Sequence, residues 1–434
     1  MDAREAAARG ICTRLTAAGH VAYLAGGCVR DLLLGVRPGD YDIATDASPE
    51  QVAALFERTA GVGAAFGVML VLLPEGPFEV ATFRWDGPYL DGRRPSEVRY
   101  ATPEEDARRR DFTINAMFLD PATDTVLDFV GGKADIAART LRAVGDPLRR
   151  FEEDHLRLLR AVRFAARLGY AIDSETWQAM VKLASRIRRT SAERVRDELS
   201  KMLTHPSVAT ALDLLDHSGL LVEVLPEVTA MKGVRQPPEF HPEGDVFVHT
   251  KLVMAALNRP SPALALGALL HDCGKPATFT ETDRIRFHGH DEVGAQFAQA
   301  VCERLRLSTR DTEHVVWLVR EHMHLAHVPG MRESKRKRFV RQKGFDDLLE
   351  LCRADCVGSL GDLTLIRQVL DYLEALPPDA VKPHRILTGK DLIEAGYTPG
   401  PQFQSMLRDV EDAQLEGLLD SRDAALAWLA NRNS

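Results

Sequence analysis

Residues 23–46, YLAGGCVRDLLLGVRPGDYDIATD, constrain the fold more than any other stretch of the chain. Residues 23–25 read as a short buried strand, and Gly26-Gly27 break it. Residues 28–34 read as a helix with an apolar face, closed by Gly35. Residues 41–44 read as a second strand. Side chains alternate along a strand, so Asp40 and Asp42 point to one face. Two carboxylates side by side repel unless a cation sits between them. Two Mg²⁺ ions, which prefer oxygen ligands, meet that need. The glycine turn supplies the other half of a site. Free N–H groups at a helix start attract phosphate, and glycine lets that phosphate approach closely. Metal-binding carboxylates beside a phosphate cradle point to transfer of a nucleotidyl group. A surface turn followed by two solvated aspartates is the plain alternative. It explains a lone Asp-x-Asp better than it explains the whole string.

The string GGxVRDxLLGxxxxDYDIAT resembles the head domain of class II tRNA nucleotidyltransferases, the CCA-adding enzymes and their bacterial poly(A) polymerase relatives. The resemblance implies that Asp40 and Asp42 hold the catalytic metals. It also implies that Gly26, Gly27 and Arg30 lie at the nucleotide triphosphate.

The chain has 434 residues, which suits two to four domains. A net charge of −8 argues against a protein coated in positive charge, but a local basic surface is enough to bind nucleic acid. Candidates are Arg93-Arg94, residues 108–110, Arg186 with Arg188-Arg189, and residues 335–338 with Arg341 and Lys343. Each cluster alone is more often a solvated face. The six cysteines include no C-x-x-C pair, so they read as reduced cytosolic thiols. No run approaches the ~20 apolar residues that a membrane span needs.

Further along, residues 1–20 read as a helix, and Ser48 reads as the cap of another that runs through Phe56. Residues 68–73 and 78–83 read as strands. Glu79 on the second is balanced between a third acidic metal neighbour and an edge-strand charge, and is left out of the site. Residues 84–106 read as a long polar loop. In the family it resembles, the matching loop helps the site switch from C to A. Arg110 and Asn115, in RRDFTINAM, suit phosphate and ribose hydroxyls, as a forked cation and an amide. A helix cap with an ion pair is the alternative. The match to the family's motif favours nucleotide contacts for Arg110, Asp111 and Asn115.

Residues 151–164, FEEDHLRLLRAVRF, read as one helix with Asp154 and Arg157 sharing a face. As a bare pair they are an ordinary surface ion pair, worth a few tenths of a kcal/mol. The segment resembles the family's EDxxRxxR motif. That implies that Asp154 and Arg157 read the incoming base, Glu153 steadies Arg157, and Arg160 and Arg163 join the nucleotide site. Residues 190–203 read as a supporting helix with Ser191 as cap and Arg194 as a further basic contact. Residues 234–243 are Pro-rich and irregular, a candidate domain boundary.

From His249 the residue types change. His249, His271-Asp272 and Asp355 form a transition-metal set of imidazole and carboxylate. Their order resembles the HD phosphohydrolase superfamily, in which such residues hold a divalent metal that activates water. His288, His290 and His322 are candidate extra ligands or phosphate contacts, whereas His324 and His327 read as surface residues. In the tail, Gly400 and Lys390 are balanced between a phosphate contact and helix packing.

The reading is an α+β, mostly α chain. A small mixed α/β head of the polymerase-β-like nucleotidyltransferase class (1–145) leads. A helical neck with the base-reading site (146–233), an HD-type domain (234–378) and a helical tRNA-binding tail (379–434) follow. The expected reaction is template-independent addition of C, C and A to the 3′ end of tRNA from CTP and ATP, with Mg²⁺, in the cytoplasm. An HD hydrolase activity on a divalent transition metal is an accessory expectation. Poly(A) polymerase and CC-only or A-only enzymes are the alternatives. Monomer and dimer stay open.

Overall fold

A computed structural model describes residues 2–61, 67–87, 97–377 and 384–432. The chain is mostly helical, with a mixed sheet near its N-terminus. It divides into two compact units, 1–226 and 227–434.

Unit 1 opens with α1 (Ala3–Ala17), which Asp2 caps by accepting from the Glu5 N–H. Strands β1 (Ala22–Ala25) and β2 (Asp42–Thr45) flank α2 (Gly27–Leu33). Helix α3 (Pro49–Leu55) begins at a full capping box of Ser48 and Gln51. Next come β3 (Thr59–Gly61), β4 (Val68–Leu73) and β5 (Gly76–Thr82). The stretch read as a loop over 84–106 is more ordered in its described parts. It holds the hairpin strands β6 (Arg84–Asp86) and β7 (Val98–Tyr100) and the first turn of α4 (Pro103–Arg109). A second capping box, Thr102 with Glu105, starts that helix. Arg93-Arg94 lie outside the described residues.

After β8 (Met117–Asp120) and β9 (Thr125–Asp128) the seven-stranded sheet is complete, in the order β3-β4-β5-β2-β1-β8-β9. Only the β2–β5 pairing is parallel. Its inner face carries Leu24, Ile43, Val71, Phe78, Val80 and Met117 against Ile11 and Leu15 of α1. Burying those apolar faces is what fixes register here, since a one-residue slip would turn each inward side chain to water.

The single helix expected over 151–164 is two helices. α5 (Pro147–Glu153) stops, Asp154 takes an extended backbone (φ −147°, ψ 106°), and α6 (Arg157–Leu168) starts afresh. The break has a local cause. The Asp154 carboxylate accepts the Leu156 N–H at 3.1 Å and its carbonyl accepts the Arg157 N–H at 3.0 Å, as aspartate does before a helix. α7 (Ala192–Leu203) begins after Ser191, whose side chain makes no capping hydrogen bond.

Unit 2 is helical. Helices Val246–Ala256, Pro262–Leu270, His290–Arg304, Thr309–Glu321 and Phe345–Gly358 surround the histidine-rich centre. Three tail helices, Gly389–Glu394, Gln402–Leu415 and Arg422–Arg432, share their own apolar core around Leu392, Val410 and Leu429. Much of the basic run after Lys335 is consumed inside this unit. Arg338 and Arg341 both pair with Glu411 of a tail helix, at 2.8 and 2.6 Å, and Arg336 pairs with Glu333 at 2.5 Å. Near Gly400, Gln402 turns its own amide back onto the Thr398 carbonyl at 2.9 Å. No helix among the described residues is long and apolar enough to cross a membrane. All six cysteines are free thiols; Cys352 is buried and points its Sγ at the His322 carbonyl, a packing position.

Candidate active site and candidate metal centre

β1 delivers the chain to Gly26, which sits at φ +76°, ψ −131°, a conformation that suits glycine alone. A Cβ there would stand 3.0 Å from Arg110 Nη1 and 3.9 Å from Asp42 Oδ2. Gly27 then opens α2. Asp42, the first residue of β2, lies opposite Ala25, so the turn and the carboxylate meet at one end of the β1–β2 ladder. Asp40 precedes the strand. It is exposed, Tyr41 is buried and Asp42 is exposed, an alternation that keeps the two carboxylates on one side. Arg4 Nη2 lies 3.4 Å from Asp40.

Asp42 reaches solvent yet is hemmed in by protein on most sides. That crowding, and then the charge of Glu79, push its carboxyl up to about 6. Arg110 pulls the other way and Asp40 adds a smaller push. The sequence alone does not place Glu79 at the site. The parallel pairing of β2 with β5, Ile43 opposite Val80, is what brings it beside Asp42, and no local pattern signals a parallel register. Since a cation binds the ionised carboxylate, Mg²⁺ affinity is expected to fall as pH drops through about 6. Glu79→Gln should move that loss to lower pH. Mg²⁺ titrations of nucleotide incorporation at pH 5 to 8 check both.

Arg30 is buried and donates to Asn115 Oδ1 at 2.5 Å while pairing with Asp31 at 2.6 Å. Arg110 donates to the Asn115 carbonyl at 3.3 Å and pairs with Asp106 at 3.0 Å. Burial alone would raise the Asp106 carboxyl, but Arg110 and Arg109 hold it below its ordinary value. Arg30, Arg110 and Asn115 are thus a connected network at the glycine turn, with fixed donors. Gly26→Ala would cost of order 1–3 kcal/mol in backbone strain and push Arg110 aside. It is expected to cut incorporation at least tenfold while circular dichroism at ambient temperature stays unchanged.

Beyond the helix break, Asp154 and Arg157 do not pair with each other on one helix face. Asp154 takes a two-pronged bond from Arg194 of α7, at 3.0 and 2.7 Å. Arg157 donates to Glu153 at 2.6 Å and to the carbonyls of Arg150 and Arg109 at 2.8 and 3.1 Å. Glu153 does hold Arg157. The 40-residue separation of Asp154 and Arg194 left no signal of their pairing in the sequence. Arg160 pairs with Asp111 at 2.7 Å. Burial opposes it, but Arg160 and Arg157 hold the Asp111 carboxyl below its usual range. Arg163 pairs with buried Glu198 at 2.5 Å. Arg30, Arg160 and Arg163 all lie over the Phe164 ring, 5.5, 5.2 and 4.1 Å from its centre.

In unit 2, His249, His271 and Asp355 offer ligand atoms within 4.8 Å of one another, as do Asp272, His290 and His322. His249 Nε2 lies 2.9 Å from Asp355 and 3.9 Å from Asp272, and His271 Nε2 lies 3.2 Å from Asp272. Burial raises the Asp355 carboxyl, but His249 and His271 bring it down to about 2. His290 and His322 join the cluster, whereas His288, His324 and His327 are exposed. Glu243, which no local pattern marks, accepts from Nδ1 of His241 at 2.9 Å and lies 2.7 Å from Nδ1 of His249. Among the described residues, the groups of three or more such ligand atoms this close all belong to unit 2. The head carboxylates stand wider apart.

Residues 22–142 match the poly A polymerase head domain family, 169–232 the family described as a probable RNA and SrmB-binding site of polymerase A, and 246–343 the HD domain family. Nucleotidyltransferase and HD domains generally use divalent metals. The CCA-adding enzyme of Bacillus subtilis is 46% identical over 211 residues, 48% of this chain and 53% of that one, so that match spans about half of the relative's length. The CCA-adding enzyme of Levilactobacillus brevis is 34% identical over 422 residues, 96% of each chain. The crystal structure of Bacillus stearothermophilus CCA-adding enzyme in complex with CTP superposes with a TM-score of 0.73 at 29% identity, covering 100% of this chain and 98% of that one. A full-length relationship of this depth, on a head that joins a glycine turn to Asp42, shows that the chain belongs to the CCA-adding enzyme family of tRNA nucleotidyltransferases.

Proposed function

We propose that this chain adds C, C and A to the 3′ end of tRNA, taking CTP and ATP as substrates and releasing pyrophosphate without a nucleic-acid template. One observation carries the placement of the reaction: Gly26 presents its backbone where Asp42 and Arg110 meet, within 4 Å of the position a side chain would fill. The relationship to CCA-adding enzymes along the whole chain supports the substrates over those of a poly(A) polymerase.

Asp40 and Asp42 would hold Mg²⁺, with Glu79 the nearest further carboxylate. Mg²⁺ held there would supply activation of the 3′ hydroxyl and neutralisation of charge on the triphosphate. Gly26 and Gly27 leave room for the phosphates to approach the backbone, and Arg30 and Arg110 supply fixed positive charge. Asn115, anchored through its Oδ1 by Arg30, keeps its amide N–H groups for a ribose hydroxyl. Asp154 offers a carboxylate with four lone-pair sites, of which Arg194 takes two and the Leu156 N–H a third. Arg157 has five N–H donors and spends three on Glu153 and two carbonyls. What remains of both groups is a fixed set of acceptors and donors for a base edge, with Arg160 and Arg163 alongside. The finer division into head (1–145), neck (146–233), HD-type domain (234–378) and tail (379–434) belongs to the same proposal. So do a cytoplasmic setting and a divalent transition metal at His249, His271, Asp272 and Asp355.

The test is incubation with tRNA lacking its 3′ end, Mg²⁺ and each nucleotide alone and together, followed by sizing of the product. Growth by three residues only when CTP and ATP are both present supports the proposal. Long adenylate tails without C incorporation would overturn it.

A further inference from the structure

Asp40 has the least local support of the head carboxylates. Its side chain is 84% exposed, and it ends the loop that leaves α2 before β2 begins at Asp42. Asp42 is seated in the β1–β2 ladder opposite Ala25, whereas Asp40 has no ladder partner.

The first turn of α1 supplies what this loop lacks. Arg4 donates from Nη1 to the Gly39 carbonyl at 3.3 Å and from Nη2 to the Pro77 carbonyl at 3.4 Å. The same Nη2 lies 3.4 Å from Asp40 Oδ1, and among the described residues Arg4 is the cation paired with Asp40. Its guanidinium rests 5.5 Å from the centre of the Phe78 ring. One fork thus touches Asp40, the residue before it, and the two residues before Glu79. Asp2 holds the same loop from its other side, 2.6 Å from Arg37 Nε. Two ion pairs of opposite sense, Asp2 with Arg37 and Arg4 with Asp40, tie the loop to the helix start. The helix itself is a fixed platform, since Ala8, Ile11, Cys12 and Leu15 are buried in the head core.

Exposed ion pairs add little to global stability, so these contacts matter for order at the loop and not for the fold. A carboxylate already held near its binding position loses less freedom when a cation arrives. A planar fork can reach two carbonyls and a carboxylate together, which a single ammonium cannot. The charge of Arg4 works the other way, because it neutralises Asp40 and repels a cation. The sign of the effect of removing Arg4 therefore separates a support from a rival.

We infer that Arg4 is a positioning residue for Asp40: it clamps the end of the loop against β5 so that Asp40 stays beside the cation that Asp42 holds. This rests on the proposed Mg²⁺ role of Asp40 and Asp42 and extends that site to the first turn of the chain.

Mn²⁺ is titrated into the full chain with CTP present and tRNA absent, and free Mn²⁺ is read by electron paramagnetic resonance. Asp42→Ala, run in parallel, marks the binding that belongs to the head. Arg4→Ala is expected to weaken that binding by about threefold to tenfold, with the thermal midpoint and tRNA binding unchanged. Arg37→Gln, whose side chain is far more exposed than that of Arg4, should weaken it less. Arg4→Lys keeps the charge but loses the fork, and should recover only part of the affinity. Unchanged or tighter Mn²⁺ binding in Arg4→Ala would overturn the positioning role, and so would full recovery in Arg4→Lys. Binding untouched in Asp42→Ala would instead overturn the metal role on which the inference rests.

Discussion

Asp42→Ala is expected to lower nucleotide incorporation by about 10³-fold or more while tRNA binding survives. Losing a metal-holding carboxylate removes several kcal/mol of charge stabilisation from the transferring phosphate, and each 1.36 kcal/mol is tenfold in rate. Asp42 is the member of the acidic set with the firmest seat. It begins β2, faces Ala25 across the ladder and stands beside Glu79 and the Gly26 turn. Asp40→Ala should be similarly damaging, although Asp40 is exposed and precedes the strand. Single-turnover incorporation, with tRNA binding measured separately by filter retention, reads both. Retained activity in the two variants would remove the proposed metal role.

Arg157→Ala is expected to narrow the choice between CTP and ATP by about 10- to 100-fold. Hydrogen bonds to a charged group contribute about 1.5–3 kcal/mol, and Arg157 is held by three partners that aim its remaining donors. The effect should exceed any loss of tRNA binding. Arg157→Lys should recover little, because a point charge cannot reproduce the planar fork. Arg194→Ala should show a smaller change in the same direction, since it frees the Asp154 carboxylate without removing it. Competition of CTP against ATP at each of the three added positions measures this. An unchanged preference in Arg157→Ala would count against the base-reading role.

The head was legible because its signals are local. Glycine at 26 forces a turn, Ser48-Pro49 announces a helix start, and short apolar runs around a Pro/Gly turn mark β4 and β5. The neck was legible as helices but not in its joints. Helical periodicity continues through residues 151–164, and nothing in it reveals that Asp154 turns its carboxylate to the Leu156 N–H and ends α5. Side-chain partnerships were the least accessible. Asp154 with Arg194, Arg160 with Asp111 and Arg163 with Glu198 join residues 35 to 49 positions apart, at distances only the packed helices define. In unit 2 the spacing of histidines and aspartates suggested a centre. It could not separate buried His290 from exposed His288 two residues away, because that depends on which side of a helix start each falls.

Phe164 carries a consequence beyond packing. Three guanidinium groups rest on its ring, and each has its own acid: Asp31, Asp111 and Glu198. One of the three comes from α2 beside the glycine turn and two come from α6, so an apolar side chain is the meeting place of charges from both segments. If the triphosphate sits at the glycine turn as proposed, any shift it imposes on Arg30 would act on the same ring where Arg160 and Arg163 rest. The phosphate-side and base-side cations therefore share one apolar support, and a larger or smaller side chain at 164 would reach both.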